Sequence, residues 1–486
     1  MKTFSALNEY PAKSPLELDS TLVREISVYV TEKIIAYLDS LPQQPVSDLE
    51  GADQLIAGLT EALPESGEAF RNLIDRVFDE ALTKGYNSAS PGYMAFIPGG
   101  GLIHSAFADL IGDAINRYVG VWLSAPGLVQ IETNVIRWFC EIVGFPERAG
   151  GFLTTGGSLA NFSALFTARR TKLAENFLSG IVYTSDQSNH SVLKAAILAG
   201  FPEANIRIIR TDPTFRIDLE RLSDQIRQDR HQGLAPFAIV GNAGTTNTGA
   251  VDDLDSIADL SERENLWFHV DAAYGGFFLL TERGRQGLHG LDRADSITLD
   301  PHKGLFLPYG TGCLLVRERD TLKKAHEIHA GYLPPMQDDP ERVDFCQISP
   351  ELSRDFRGLR VWLPIKIHGI RAFRETLDEK LDLAHWITAR LGSIKLIEIV
   401  ARPQLSIVAF KIRSLGHDNQ RSNELTRALL ERINSFRRVL LTGTWLEGIF
   451  VIRICVLSFR THLKQVQDCL NDIERACTEL DGKSAT

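Results

Sequence analysis

Apolar positions recur at two different periods along the chain, and the places where the period changes mark its organisation. Over residues 22–41 and again over 67–83, apolar side chains return every three or four positions, which predicts two amphipathic helices. A loop with Pro42, Pro45 and Asp48 separates them. Neither stretch can bury a core of its own, so residues 1–86 read as a helical arm that packs on something else, a second subunit among the candidates. From about residue 90 to 317, short apolar runs at 181–184, 206–210, 237–240, 266–270, 296–299 and 313–316 alternate with helical patterns at 158–173, 191–198, 219–230 and 254–264. Repeated strand–helix–strand units predict an α/β fold with a mainly parallel central sheet covered by helices on both faces. In such sheets ligands bind beyond the carboxyl ends of the strands. After a helical passage over 359–391 the texture changes: 406–412 and 449–457 read as strands, 423–432 and 463–480 as helices. The predicted organisation is therefore an arm over 1–86, a large domain over 87–385 and a small C-terminal α/β domain over 386–486.

Composition narrows the setting. The 486 residues are 44% hydrophobic and 23% charged, as in an ordinary globular protein. A net charge of −10 argues against a nucleic-acid backbone or an anionic membrane surface as partner. No apolar run approaches the roughly 20 residues that span a bilayer, and the stretch from Met1 to Pro15 lacks the apolar core of a signal peptide. The six cysteines are scattered without a C-x-x-C pair, which suits reduced thiols in the cytoplasm.

Three elements at predicted strand ends carry candidate chemistry. Thr155, Gly156, Gly157 and Ser158 end an apolar segment and lead into a helix. Backbone N–H groups at a helix start bind phosphate, and glycine lets the anion come close. Taken alone, the same residues would serve equally as a tight turn with Ser158 as helix cap. Asp271 ends a second apolar run and is followed by Ala273; a carboxylate there would pair with a protonated ring nitrogen, or simply cap the next segment. A third run ends in Asp300, Pro301, His302 and Lys303. A partly desolvated lysine has a lowered pKa and becomes a nucleophile, whereas a lone lysine is usually a surface charge. Together the three supply what pyridoxal phosphate needs: a lysine for the aldehyde, a carboxylate for the pyridine nitrogen and a helix start for the phosphate. His190, after another strand, would place an imidazole against the ring.

These residues resemble the group II pyridoxal-phosphate decarboxylases, which include aromatic-L-amino-acid and glutamate decarboxylases, over about residues 87–460. The segment from Thr155 to Ser158 matches the phosphate loop of that family, His190 the histidine stacked on the ring, and Thr246 with Gly244 a cofactor-side turn. Asp271 and Ala273 match the pyridine partners, and His302 and Lys303, preceded by Asp300, the Schiff-base pair. The run from Ser90 through Phe96 to Pro98 resembles the substrate-side loop, and Ala125, Pro126 and Glu132 the helix entry after it. Tyr332 resembles the mobile-loop tyrosine that protonates the substrate Cα, where phenylalanine accompanies aldehyde synthases. The resemblance implies fold type I, the aspartate-aminotransferase-like architecture, in a homodimer with active sites at the subunit interface. It implies pyridoxal 5'-phosphate as cofactor and decarboxylation of an L-amino acid, aromatic by first expectation, to the amine. Aldehyde synthesis, transamination, lyase chemistry, an acidic substrate and a catalytically silent binding protein are the alternatives. The sequence departs from the family at Gly304, where many members carry tryptophan, at Gly120, where a bulky aromatic is usual, and at Gly99 and Gly100, which replace a polar residue. The substrate side is expected among Phe96, Pro98, Gly99, Arg117, Tyr118, Gly120 and Trp122, with the three glycines leaving room for other side chains and Arg117 with Tyr118 suiting an acidic one. His326 and His329 have the spacing of a metal pair but no third ligand, and no metal is predicted.

Overall fold

In the computed structural model, which describes residues 14, 16–328, 339, 341–413 and 419–484, internal contacts divide the chain into Met1–Ser90 and Pro91–Thr486. In the first unit, Asp19 caps the helix Ser20–Ser40 by accepting from the Thr21 and Leu22 amides at 2.8 and 2.9 Å. None of the 21 residues of that helix is buried. The second predicted helix is shorter than its pattern. It is regular only over Phe70–Asp75, then widens into a π turn at Arg76–Glu80 and tightens at Ala81–Thr83. Ion pairs Lys33–Asp75 (2.7 Å) and Arg71–Glu25 (2.8 Å) join the two, and β1 (Ser47–Asp48) pairs antiparallel with β2 (Gly85–Tyr86).

The second unit is built on a seven-stranded sheet. Its strands are β3 (Gly150–Thr154), β4 (Gly180–Ser185), β5 (Ile206–Ile209), β6 (Ala235–Asn242), β7 (Trp267–Asp271), β8 (Ser296–Leu299) and β9 (Gly312–Val316), in the spatial order β3-β9-β8-β7-β6-β4-β5. Strands β4 to β8 are mutually parallel, while β9 runs against both of its neighbours, β8 and the edge strand β3. Two reversals leave β3 pointing the same way as the parallel set. Six strands therefore end on one rim.

Every residue of β4, β7, β8 and β9 is buried, so these runs read as continuously apolar even though successive side chains face opposite layers. Ile181, Tyr183, Ile239 and Phe268 join one layer, with Val135, Ile136 and Phe139 of the helix Pro126–Val143. Val182, Ala238, Val240 and Trp267 join the other, against the helices Gly157–Lys172 and His190–Leu198. The long passage Gly358–Leu391 is broken at Gly369, whose φ of 69° glycine adopts without strain.

A four-stranded antiparallel sheet follows, with β10 (Ile397–Ala401), β11 (Ile407–Ile412), β12 (Thr442–Leu446) and β13 (Ile449–Cys455) in the order β10-β11-β13-β12. The helices Asn419–Ser435 and Leu463–Ser484 accompany it. Strands β11 and β13 coincide with predicted runs. Strand β12, an edge strand with only Leu446 buried, has no apolar signature to read. All six cysteines are unpaired. Among the described residues, no helix is long and apolar enough to cross a membrane.

Candidate active site

The common rim gathers the predicted chemistry. Strand β7 delivers Asp271, β8 leads into Asp300 and the one-turn helix Pro301–Gly304, and β3 leads through Gly156 into the helix Gly157–Lys172. Loops after β4 and β6 close the other side. Together they line a cavity of about 310 Å³ that includes Gly156, Gly157, Ser158, Thr246, Asp271, Ala273, Asp300, His302 and Lys303.

Lys303 donates to Asp300 Oδ2 at 2.9 Å, and the His302 Nε2 atom lies 3.7 Å from the same oxygen. The predicted lowering of the lysine pKa is corrected here. Burial does pull the ammonium down, but the charge and hydrogen bond of Asp300, joined by the charge of Asp271, leave it above its ordinary value. His302 is the opposite case, since burial outweighs Asp300 and holds its imidazole below the usual range. Its Nδ1–H donates to the Thr311 carbonyl at 2.7 Å, which fixes the ring.

Asp271 is buried, and burial pushes its carboxyl above the ordinary range against the pull of Lys303, Asn161 and the Ala273 amide. The Asn161 Nδ2 group donates to Oδ2 at 3.0 Å, and the Ala273 amide to Oδ1 at 3.1 Å. With the Asn161 amide nitrogen turned to the carboxylate, its Oδ1 accepts from Thr298 at 2.7 Å and faces His269 Nε2 at 3.0 Å. His269 therefore carries its proton on Nε2, and Nδ1 accepts from the Ser296 hydroxyl at 2.8 Å. Burial lowers this imidazole to about 3, so it stays neutral and acts as a fixed strut behind Asp271.

The cavity fits a phosphorylated pyridine. Gly156 has φ 153°, and a Cβ on Gly157 would come within 3.1 Å of Asp300 Oδ2, so side chains here would fill the cradle. The Gly157 and Ser158 amides open the helix behind it ahead of the first helical bonds, from Leu159 and Ala160 to the Gly156 carbonyl, and would meet a phosphate there. Asp271 is buried at the floor of the cavity, where a protonated ring nitrogen would pair with it.

The pyridoxal-dependent decarboxylase conserved domain matches residues 53–413. An aromatic-L-amino-acid decarboxylase of Bacillus atrophaeus is 36% identical over 96% of this chain and 97% of its own. The chain belongs to the pyridoxal-dependent decarboxylase family. A crystal structure of Oryza sativa TDC with PLP and tryptamine superposes with a TM-score of 0.91 at 27% identity, covering 96% of this chain and all of that one. The 4-hydroxyphenylacetaldehyde synthase of Rhodiola rosea does so with a TM-score of 0.88 at 26% identity, over 96% and 99% of the two chains. The fold is thus type I, the cofactor is pyridoxal phosphate, and the enzyme is a carboxy-lyase of this decarboxylase family acting on amino acids.

Within this decarboxylase, not every expected residue reaches the cavity. His190 is the first residue of its helix, exposed, and outside the cavity lining; the neighbouring Asn189 and Ser191 line it instead. Phe96, Pro98, Gly99, Arg117, Tyr118, Gly120 and Trp122 do not line the Lys303 cavity either. The room expected at three glycines is also corrected. A Cβ on Gly99 would lie 2.7 Å from the Tyr309 ring, one on Gly100 1.9 Å from the Phe306 carbonyl, and one on Gly120 2.5 Å from the Tyr118 hydroxyl. These glycines let neighbouring chain close in. Gly99 donates to the Tyr309 hydroxyl and Gly100 to the His302 carbonyl, each at 3.2 Å, which sets this segment beside Lys303. Tyr118 donates to the Leu352 carbonyl at 3.0 Å, the Trp122 amide to Asp344 at 2.7 Å, and Arg117 is exposed. His326 sits 3.3 Å from the Thr167 hydroxyl and packs on Phe166; its spacing partner His329 and the predicted proton donor Tyr332 lie outside the described residues.

Asn161 was legible in part. It stands four residues after Gly157 and so shares the helix face that opens on the phosphate cradle, but a single polar residue inside a helix gives no sign of the Asp271 carboxylate it supports.

Proposed function

We propose that this enzyme decarboxylates aromatic L-amino acids to the corresponding amines. The observation that carries the chemistry is one cavity that holds an amine, Lys303, a buried strand-end carboxylate, Asp271, and a glycine cradle at a helix start. The aromatic substrate rests on similarity to the Bacillus atrophaeus enzyme along nearly the whole chain. Pyridoxal phosphate supplies the electron sink for the pair left behind when the carboxylate departs as carbon dioxide. Lys303 would hold the aldehyde carbon and be displaced by the substrate amine. Asp271, kept in place by Asn161 and the Ala273 amide, would hold the proton on the ring nitrogen. Gly156, Gly157 and Ser158 would hold the phosphate. Tyr332 would return a proton to Cα. The test is release of carbon dioxide and of product across a panel of amino acids. Amine and carbon dioxide in equal amounts, fastest from tyrosine, tryptophan or phenylalanine, is the expected result. Aldehyde with ammonia and peroxide would instead favour the synthase chemistry named in the Rhodiola rosea relative, and preference for glutamate or aspartate would overturn the substrate class.

We further infer a homodimer in the cytoplasm, where six unpaired cysteines stay reduced. On the helix Ile103–Ile115, Phe107, Leu110, Ile111 and Ile115 form an exposed apolar stripe, with Leu110 62% exposed. Arg117, exposed, and Tyr118 follow directly and would serve a neighbouring subunit's site. Leu110→Glu is expected to convert a dimer to monomer by light scattering and to remove activity with it. A wild type that elutes as a monomer would sink this assembly.

A further inference from the structure

We propose that Asn189, and not His190, is the side chain that covers the cofactor ring in this chain, so that the ring is faced by a carboxamide; this rests on reading the cavity as a pyridoxal phosphate site. The two residues are neighbours, but they stand on opposite sides of a helix boundary. Asn189 is the N-cap of the helix His190–Leu198, with the extended backbone of that position, φ −64° and ψ 142°. Its Oδ1 atom accepts from the Ser191 amide at 2.9 Å, which turns the side chain back across the helix start. Its Nδ2 group donates to the Thr246 hydroxyl at 3.0 Å. The carboxamide thus spans two loops, one after β4 and one after β6, and lies on the cavity wall. His190, one position on, already has helical backbone and lies outside the cavity lining; both residues are exposed, so it is their place on the wall that separates them.

The same wall is bonded to the far side of the cavity. Asn161 donates to the Ser191 hydroxyl at 3.0 Å as well as to Asp271 Oδ2 at 3.0 Å. Asn189, Ser191, Asn161 and Asp271 therefore form one hydrogen-bonded frame, with the covering group at one end and the ring-nitrogen partner at the other. An amide held at both its oxygen and its nitrogen is rigid and neither gives nor takes a proton near neutrality. The covering group here is a spacer and an anchor; proton transfer belongs to other residues.

The experiment compares the holoenzyme with N189A, N189D and H190A, reading the dissociation constant for pyridoxal phosphate and the visible circular dichroism of the bound cofactor. N189D keeps an oxygen for the helix cap while removing the donor to Thr246, so it separates cofactor effects from a folding defect. Both Asn189 variants are expected to bind the cofactor about tenfold more weakly, as for the loss of one good contact, and to change the dichroism. H190A should stay within about twofold of wild type, below half of that contact's free energy. Loss of cofactor in H190A, or wild-type behaviour in both Asn189 variants, would overturn the assignment. A wild type that takes up no pyridoxal phosphate would overturn the reading of the cavity, and this inference with it.

Discussion

Lys303→Ala is expected to remove the visible absorbance band of the lysine-bound cofactor and to lower decarboxylation at least about a thousandfold, a barrier rise of about 4 kcal/mol. Lys303 is the one amine among the side chains lining the cavity, so no neighbour can replace it. The residue also has an electrostatic duty. Its ammonium lies 2.9 Å from Asp300 Oδ2, and Asp300 is only 2% exposed. Alanine therefore leaves a buried carboxylate without its cation, and some loss of thermal stability should accompany the loss of activity. Lys303→Arg separates the two effects. Guanidinium can hold Asp300 but is no nucleophile at neutral pH, so the arginine variant should recover stability while band and activity stay lost. Turnover in either variant near the wild-type rate would remove Lys303 from the chemistry.

Asp271→Asn is expected to cost on the order of a hundredfold to a thousandfold in turnover, about 3 to 4 kcal/mol. The substitution removes the charge that favours a protonated ring nitrogen, and it also upsets a directional frame. Asn161 must present its Nδ2 group to residue 271, because its Oδ1 is committed to Thr298 and His269. An amide at 271 can accept that bond only by turning its own NH₂ toward the Ala273 amide, which donates to the other oxygen. One donor then faces another. The check is steady-state kinetics together with the pH at which the bound cofactor changes colour. Asp271→Asn should reduce kcat more than cofactor affinity. Unchanged turnover would show that the ring nitrogen takes its proton from elsewhere.

Much of this was open to reading before the structure. Strands β7 and β8 are apolar runs that were read as strands, and each carried its chemical residue at its last position or just after it: Asp271 at the end of β7, Asp300 and Lys303 after β8. Strand β3, with two glycines in five residues, was not read as a strand, although Gly156 was placed where an apolar segment gives way to a helix. Side-chain direction in the connecting loops was not open in the same way. Whether Asn189 or His190 turns inward depends on where a helix begins, and one residue of phase separates the two. The glycines at 99 and 100 read as space because absence of a side chain is all that a sequence shows; the structure fills that space with Tyr309 and the Phe306 backbone. The lysine pKa was misjudged because desolvation follows from a buried strand end, whereas the opposing carboxylates depend on three-dimensional neighbours.

The placement of β3 has a consequence for how the enzyme is made. The strand that leads into the proposed phosphate cradle lies at the edge of the sheet and pairs with β9, from Gly150 against Val316 to Thr154 against Gly312. During synthesis, nearly the whole large sheet is on the ribosome before that partner exists. Contacts so distant in sequence close late and slowly. The cradle is therefore among the last parts of the sheet to be secured, and a nascent chain stopped short of residue 316 should be unable to retain the cofactor.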